Sequence, residues 1–153
     1  MYQCDKIIMI SGEGVLPLIF YIKMIKCYFF GLQSFPPHGG NDPGKIGVDD
    51  SLEKDLNLII AKKVQKLLEQ QDVKVVMTRE TDAGLYEEQT SNKKVQDMKN
   101  RCTLINDTQP DCVVSIHQNS YHQDSISGAQ MFYYKNSEKG RQLAEILQKR
   151  FDY

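Results

Sequence analysis

The segment DCVVSIHQNS, from Asp111 to Ser120, most constrains what this 153-residue chain can fold into. It opens with a continuous run of small and β-branched apolar residues, without the apolar-polar alternation of a strand that has one solvated face. Such a strand is expected to be buried on both faces, as in a sheet covered by helices. The segment therefore predicts an α/β domain and places His117 at the carboxyl end of a buried strand.

The neighbouring segments supply the other elements of such a domain. Apolar residues at helical spacing predict helices over about 52–70, over about 91–106 and from about 137 onward. The β-branched run VKVVMTR at 73–79 and the segment GAQMFYYK at 128–135 predict two further strands. This order of elements predicts a three-layer α/β sandwich, with a mostly parallel or mixed central sheet flanked by helices.

The first two helices carry clear apolar faces. The face of the first is expected to comprise Leu52, Leu56, Ile59, Ile60, Val64, Leu67 and Leu68. The face of the second is expected to comprise Val95, Met98, Cys102 and Ile105. Three polar residues just before the first helix are candidate N-caps, namely Asp49, Asp50 and Ser51.

Charge and composition exclude some classes of partner. The net charge of -1, from 19 basic and 20 acidic side chains, provides no field that would gather nucleic acid. The most apolar stretch, VLPLIFYIKMIKCYFF at 15–30, is interrupted by Lys23 and Lys26 and predicts no stable membrane span. Acidic residues before it argue against a competent signal peptide, so residues 1–35 are interpreted as an atypical apolar segment.

The string Gly39-x-x-x-x-Gly44-Lys45 is similar to a phosphate-binding loop. Such a loop needs Ser or Thr after the lysine and a helix that opens at once, so that free backbone amides meet the phosphate. Ile46 stands in the Ser/Thr position, and the following Gly and Val delay the helix. These departures argue against a nucleotide site.

Two of the three histidines lie where a metal site could form. His38 precedes the first helix, and His117 ends a strand at the edge where α/β folds place their ligands. Glu53, in the first turn of that helix, could complete a His-Glu-His set that leaves zinc one open position. Each residue also has a plainer reading: His38 as a turn residue, Glu53 as a capping partner of Asp50, and His117 as a core histidine.

Four segments together resemble the zinc-dependent N-acetylmuramoyl-L-alanine amidases of bacterial cell walls, the group that includes the spore-cortex enzyme. They are HGGNDPGKIG, SLEKDLNLIIAKKVQKLL, VKVVMTRETD and VVSIHQNS. The resemblance implies a partial amidase catalytic domain over 36–153 and leaves 1–35 outside it. The stretch GLQSFPPHGG departs from the family, which has Asp-Pro-Gly or Asp-Ala-Gly before the first histidine.

The resemblance assigns the ligands of a Zn²⁺ cofactor residue by residue. His38 lies in the His-Gly-Gly motif, Glu53 in the Glu-Lys-Asp motif and His117 in the Ser-Ile-His-x-Asn motif. His122 matches no ligand position and is expected to be a loop residue. The general-base glutamate of the family is expected beyond Tyr153, so no catalytic residue is assigned within the chain.

The function implied by the resemblance is hydrolysis of the amide between N-acetylmuramic acid and L-alanine in peptidoglycan. The partner would be peptidoglycan or a muropeptide, and the location extracytoplasmic, meaning the cell wall, the periplasm or the extracellular space. Without the glutamate region we expect an incomplete fold and impaired turnover. The alternatives are a non-catalytic, zinc-centred fragment that binds muropeptide, and a fragment that does not fold because sheet edges are left unpaired.

Overall fold

The structure, a computed structural model, describes residues 7–11, 29–33, 39–40, 42–118 and 128–151. Seven elements follow one another in these ranges: β1 (Ile7–Ser11), β2 (Phe29–Gln33), α1 (Glu53–Glu69), α2 (Lys93–Thr108), β3 (Cys112–His117), β4 (Gln130–Tyr133) and α3 (Glu138–Phe151). They form a mixed arrangement of helices and strands, as predicted. Among the helices described, none has the length and apolar character needed to cross a bilayer.

The four strands form one mixed sheet in the order β2-β3-β1-β4. Both β1 and β2 run parallel to β3, whereas β4 runs antiparallel to β1. Ser11 is in register with His117, and Gln33 with Ser115, so the carboxyl ends of three strands lie at the same edge. The segment before residue 36 thus contributes both neighbours of β3.

The strand β3 lies in the centre of the core, and all six of its residues are buried. Parallel neighbours on both sides satisfy its backbone, while its side chains pack into an apolar cluster with α1 and α3. Members of this cluster include Ala61, Val64, Leu68, Cys112, Val114, Ile116, Leu143 and Leu147. The prediction of a strand buried on both faces is confirmed.

The buried face of α1 differs from the predicted one. Leu56 and Ile59, both expected in the core, are 38% and 52% exposed. The buried stripe instead comprises Glu53, Asn57, Ala61, Val64 and Leu68. The observed face differs from the predicted one because polar residues, Glu53 and Asn57, occupy its first two turns. A prediction based on the spacing of apolar residues does not include them.

The start of α1 is satisfied by backbone atoms and not by the predicted caps. Leu52 occupies the N-cap position, and no described side chain caps the helix there. The backbone amides of Glu53 and Lys54 donate to the carbonyls of Lys45 (2.9 Å) and Pro43 (3.2 Å). Asp49, one of the three predicted caps, accepts a hydrogen bond from the amide of Ser51 within the preceding turn. The returning loop therefore replaces a side-chain cap.

The strand predicted at 73–79 is not formed, although this stretch lies wholly within the described residues. Val73, Val75 and Met77 are buried and Lys74 is exposed, so the burial in this β-branched run alternates as it would in a strand. Alternating burial does not by itself provide the ladder of backbone hydrogen bonds that defines a strand. The stretch ends in a buried arginine, Arg79, whose guanidinium donates to backbone carbonyls.

The buried face of α2 is mainly polar, in contrast to the predicted apolar face. Val95 is 61% exposed, whereas Asp97 and Arg101 are buried together with Ile105. The Arg101 guanidinium donates through two of its nitrogens to the Asp97 carboxylate, one bond measuring 3.2 Å, and through the third to Thr78 Oγ1 at 2.9 Å. An ion pair one helical turn apart therefore replaces the expected apolar contacts.

Candidate metal centre

Glu53 and His117 meet at the edge of the sheet where β3 ends. His117 Nδ1 lies 3.2 Å from Glu53 Oε1, although 64 residues separate the two in the chain. Both side chains are almost fully buried, with exposures of 3% for Glu53 and 4% for His117. The contact arises because Glu53 is the first residue of α1 and His117 the last residue of β3, and these two elements pack together.

The Glu53 carboxylate is held in place by neutral donors. Oε1 accepts from the Gln118 amide (3.0 Å) and from Asn57 Nδ2 (3.3 Å), while Oε2 accepts from the Lys45 amide (3.0 Å). Gln118 Nε2 in turn donates to Asn57 Oδ1 at 3.1 Å. The first turn of a helix favours a negative charge, so the position also suits a carboxylate electrostatically. The Glu53 contacts described above are with Lys45, Asn57 and Gln118, and none of them is a capping contact with Asp50.

The third predicted ligand, His38, lies outside the described residues, as does His122. The two glycines that follow His38 in the chain are described and are attached to the start of α1. Gly40 O accepts a hydrogen bond from Lys54 Nζ at 3.0 Å, and Lys54 directly follows Glu53. The Gly40 amide donates to Asp82 Oδ1 at 2.9 Å.

Three charged side chains, those of Lys54, Asp82 and Arg79, lie where the Gly39-Gly40 turn meets the start of α1. Lys54 Nζ lies 2.6 Å from Asp82 Oδ2, and the hydrogen bond from Lys54 holds the pKa of Asp82 below its ordinary value. Arg79 Nη2 donates to the Lys54 carbonyl at 2.6 Å, and burial lowers the pKa of Arg79. The backbone and the side chain of Lys54 are thus both held by the loop that follows residue 78.

The Glu53 carboxylate and the His117 imidazole have the chemistry of metal ligands. Carboxylate oxygen and imidazole nitrogen are both common zinc ligands. Within the described ranges, no group of three or more His, Cys, Asp or Glu side chains could hold a metal ion. Glu53 and His117 are two of the three ligands predicted from the sequence, and the structure brings them together.

Sequence reasoning missed the residues that support these two side chains. Asn57 is completely buried one turn after Glu53, and its signal was a polar residue on a helix face that is otherwise apolar. Lys54 and Asp82 had no local signal, because their contact spans 28 residues. Such contacts depend on how separate segments pack and not on local spacing.

The loop that looks like a phosphate-binding sequence has another role. The helix begins at Glu53, and the amides of Glu53 and Lys54 donate to the carbonyls of Lys45 and Pro43, so these two amides are not available to a phosphate. The Lys45 amide donates instead to the Glu53 carboxylate. Gly44 has a φ of 72°, a backbone conformation that favours glycine, and it shapes the turn that brings Lys45 to Glu53.

Comparison with known proteins identifies a family. The family model described as N-acetylmuramoyl-L-alanine amidase matches residues 35–153. The germination-specific N-acetylmuramoyl-L-alanine amidase of Bacillus subtilis is 39% identical over 116 residues, which cover 74% of this chain and 48% of that protein. A probable cell wall amidase of Staphylococcus aureus, LytH, is 31% identical over 73% of this chain and 33% of that protein. The chain spans about half the length, or less, of these curated relatives.

The fold of this chain is also similar to that of a solved amidase structure. The CwlD amidase from Clostridioides difficile, in a complex with the GerS lipoprotein, superposes with a TM-score of 0.73 at 35% identity. The match covers 80% of this chain and 64% of that one. Members of the matched family are generally metal-dependent.

Proposed function

Because the chain belongs to the N-acetylmuramoyl-L-alanine amidase family, we propose that it acts in the hydrolysis of the amide between N-acetylmuramic acid and L-alanine in peptidoglycan. The observation that carries this proposal is the buried contact of 3.2 Å between Glu53 and His117. Peptidoglycan or a muropeptide as substrate belongs to the same proposal. So does an extracytoplasmic location, in the cell wall, the periplasm or the extracellular space.

The metal in this proposal is Zn²⁺, with His38, Glu53 and His117 as its ligands. The support is the donor chemistry of the two described side chains and the fixed orientation of the Glu53 carboxylate. When bound, zinc would supply Lewis-acid polarisation of the amide carbonyl and a lowered pKa for water. The ligand role of His38 is supported by its place in the His-Gly-Gly motif, next to a turn attached to Lys54.

The reaction adds water across one C–N bond. The oxygen of water bonds to the lactyl carbonyl carbon, the bond to the L-alanine nitrogen breaks, and a proton passes to the leaving amine. The products are a lactyl carboxylate and a peptide with a free L-alanine amino group. In the family resemblance a separate glutamate carries the proton, so Glu53 is proposed as a ligand and not as the base.

The wider architecture is part of the same proposal. We place the helices on both sides of the sheet, in three layers, because β3 is buried on both of its faces. We also keep the division between an atypical segment at 1–35 and an amidase domain at 36–153. The family match, which begins at residue 35, supports that boundary.

The zinc site can be tested on the purified chain with metal analysis. We expect the protein to retain stoichiometric zinc after dialysis and His117→Ala to lose it. His122→Ala is the matched control, since His122 is expected to be a loop residue, and it should retain zinc. Equal zinc retention in all three proteins would contradict the proposed site.

The reaction is tested by incubating the zinc-loaded chain with peptidoglycan and detecting new L-alanine amino termini by mass spectrometry. Release that is abolished by His117→Ala supports hydrolysis, and its rate relative to a full-length family member tests the expected impairment. Binding of a muramyl peptide that is lost with a chelator, without any release, would instead support the non-catalytic binding fragment.

A further inference from the structure

Gly40, two residues after His38, is held through both of its backbone polar groups. Its amide donates to Asp82 Oδ1 at 2.9 Å, and its carbonyl accepts from Lys54 Nζ at 3.0 Å. These two partners also form an ion pair with each other, with Lys54 Nζ 2.6 Å from Asp82 Oδ2. Gly40 thus makes two of these three contacts, and the third joins its two partners.

The backbone of this turn leaves little room for another arrangement. Gly40 has a φ of 58°, and a Cβ added there would collide with the Tyr86 hydroxyl. The same hydroxyl lies 3.5 Å from Gly39 O. On the other side, Arg79 holds the Lys54 carbonyl. The loop from residue 79 to residue 86 therefore encloses the turn and the start of α1 together.

We propose that Asp82 and Lys54 are positioning residues of the metal site, which fix the first turn of α1, and with it Glu53, against the Gly39-Gly40 turn. This inference rests on the proposed zinc site. Its geometric basis is that Lys54 follows Glu53 directly, so one helical turn presents a ligand and also holds the turn that follows the second ligand in sequence.

The contacts are better suited to positioning than to general stability. The Asp82 side chain is 47% exposed, and exposed ion pairs contribute little to the stability of a fold. The Lys54 side chain is only 11% exposed, and its ammonium is bonded both to Asp82 and to the turn. A shift of the first turn of α1 would displace Glu53, whereas neither Lys54 nor Asp82 belongs to the core cluster around β3.

The test is the zinc affinity of the full chain, measured by competition with a chromophoric chelator. Asp82→Ala is expected to weaken zinc binding about 10- to 100-fold, the range found when groups that orient ligands are removed. Asp82→Asn should give a smaller loss, because its amide oxygen can still accept from the Gly40 amide. Lys54→Met provides a second, independent variant and should weaken binding to a similar extent as Asp82→Ala.

The matched control is Glu88→Ala, which removes another exposed ion pair with an N–O distance of 2.6 Å, that between Glu88 and Lys93. It should bind zinc like the wild type. The melting temperature of the metal-free protein, recorded in parallel, should be unchanged within a few degrees in all variants.

Each outcome decides the question. If Asp82→Ala and Lys54→Met bind zinc within about twofold of the wild type while His117→Ala does not bind it, the positioning role is wrong and the proposed metal site stands. A lower melting temperature with unchanged zinc affinity also overturns the positioning role, because it indicates purely structural contacts. If the wild type shows no zinc binding that depends on His117, both proposals fail.

Discussion

Two buried polar pairs among the described residues, Asp97-Arg101 and Glu53-His117, differ in the chemistry of their partners. Arg101 is completely buried, and its guanidinium matches the Asp97 carboxylate, with a remaining donor bonded to Thr78. The Glu53 carboxylate, by contrast, is held by amide donors and by an imidazole that is charged only when protonated. The first pair joins a guanidinium to a carboxylate, whereas the second joins a carboxylate to an imidazole.

This difference separates a structural role from a functional one. A buried charge needs compensation, and the Asp97-Arg101 pair supplies its own. It also connects the helix to the loop, because the Leu85 amide donates to Asp97 Oδ1 at 2.6 Å. In the proposed function, a bound cation would add a positive charge beside the Glu53 carboxylate.

The largest expected effect comes from breaking the Asp97-Arg101 pair. Arg101→Ala should lower the free energy of unfolding by about 3 to 5 kcal/mol, because it leaves Asp97 buried without its counter-charge. Urea denaturation measures this loss. Arg141→Ala, which removes exposed ion pairs with Glu138 and Glu145, is the control and should lower the free energy of unfolding by only a small fraction of that loss, because exposed ion pairs contribute little. A loss below about 1 kcal/mol for Arg101→Ala would remove the distinction drawn between the two pairs.

Changing the Glu53-His117 pair should lower the zinc affinity and not the free energy of unfolding. Glu53→Gln keeps the size of the side chain but removes the charge, and its single amide oxygen can accept from either the Lys45 or the Gln118 amide, not from both. We expect zinc affinity to fall more than about 100-fold, since removing groups that only orient ligands already costs 10- to 100-fold. Chelator competition and urea denaturation on the same samples check this. Unchanged zinc affinity with lowered stability would give the Glu53-His117 pair a structural role instead.

A smaller effect is expected from the side chain that orients Glu53. Asn57→Ala removes hydrogen bonds to Glu53 and Gln118 and should weaken zinc binding about tenfold. Asn100→Ala is the matched control, because its amide bonds the Leu85 carbonyl away from the site, and its zinc affinity should equal that of the wild type. Equal affinities for both variants would show that backbone amides alone orient the carboxylate.

The smallest effect concerns an exposed pair. The hydrogen bond from Arg141 lowers the pKa of Glu138 from 4.5 to about 2. A lowered pKa stabilises the fold above the unfolded value, so this contribution should disappear as the pH falls from about 4.5 to 2. The melting temperature difference between the wild type and Glu138→Gln should shrink over that interval, and added salt should reduce it at neutral pH. A difference that persists at pH 2 would rule out the ionised carboxylate as its cause.

The three helices, β3 and β4 were predictable because each follows a local pattern, whereas β1 and β2 were not predicted and the strand predicted at 73–79 is not formed. The predicted helices agree with α1, α2 and α3 within two residues at each bound that was predicted, and β3 lies inside the predicted strand. The faces were less predictable. Leu56 and Ile59 were assigned to the core by their apolar character, yet Glu53 and Asn57 take the buried positions of the first turns. A scale of hydrophobicity cannot identify a carboxylate that is buried because other groups hold it.

By itself, the sequence determined the helix that begins with Glu53 and the buried strand that ends with His117, because both follow from contacts between residues close in the chain. The tertiary structure alone decided that these two residues meet, that loop carbonyls complete the start of α1, and that Asp97 and Arg101 are buried together. The physical reason is that periodicity records only which face of an element is apolar. The partner of a buried polar group is set by the packing of distant segments, and here that packing forms the candidate site.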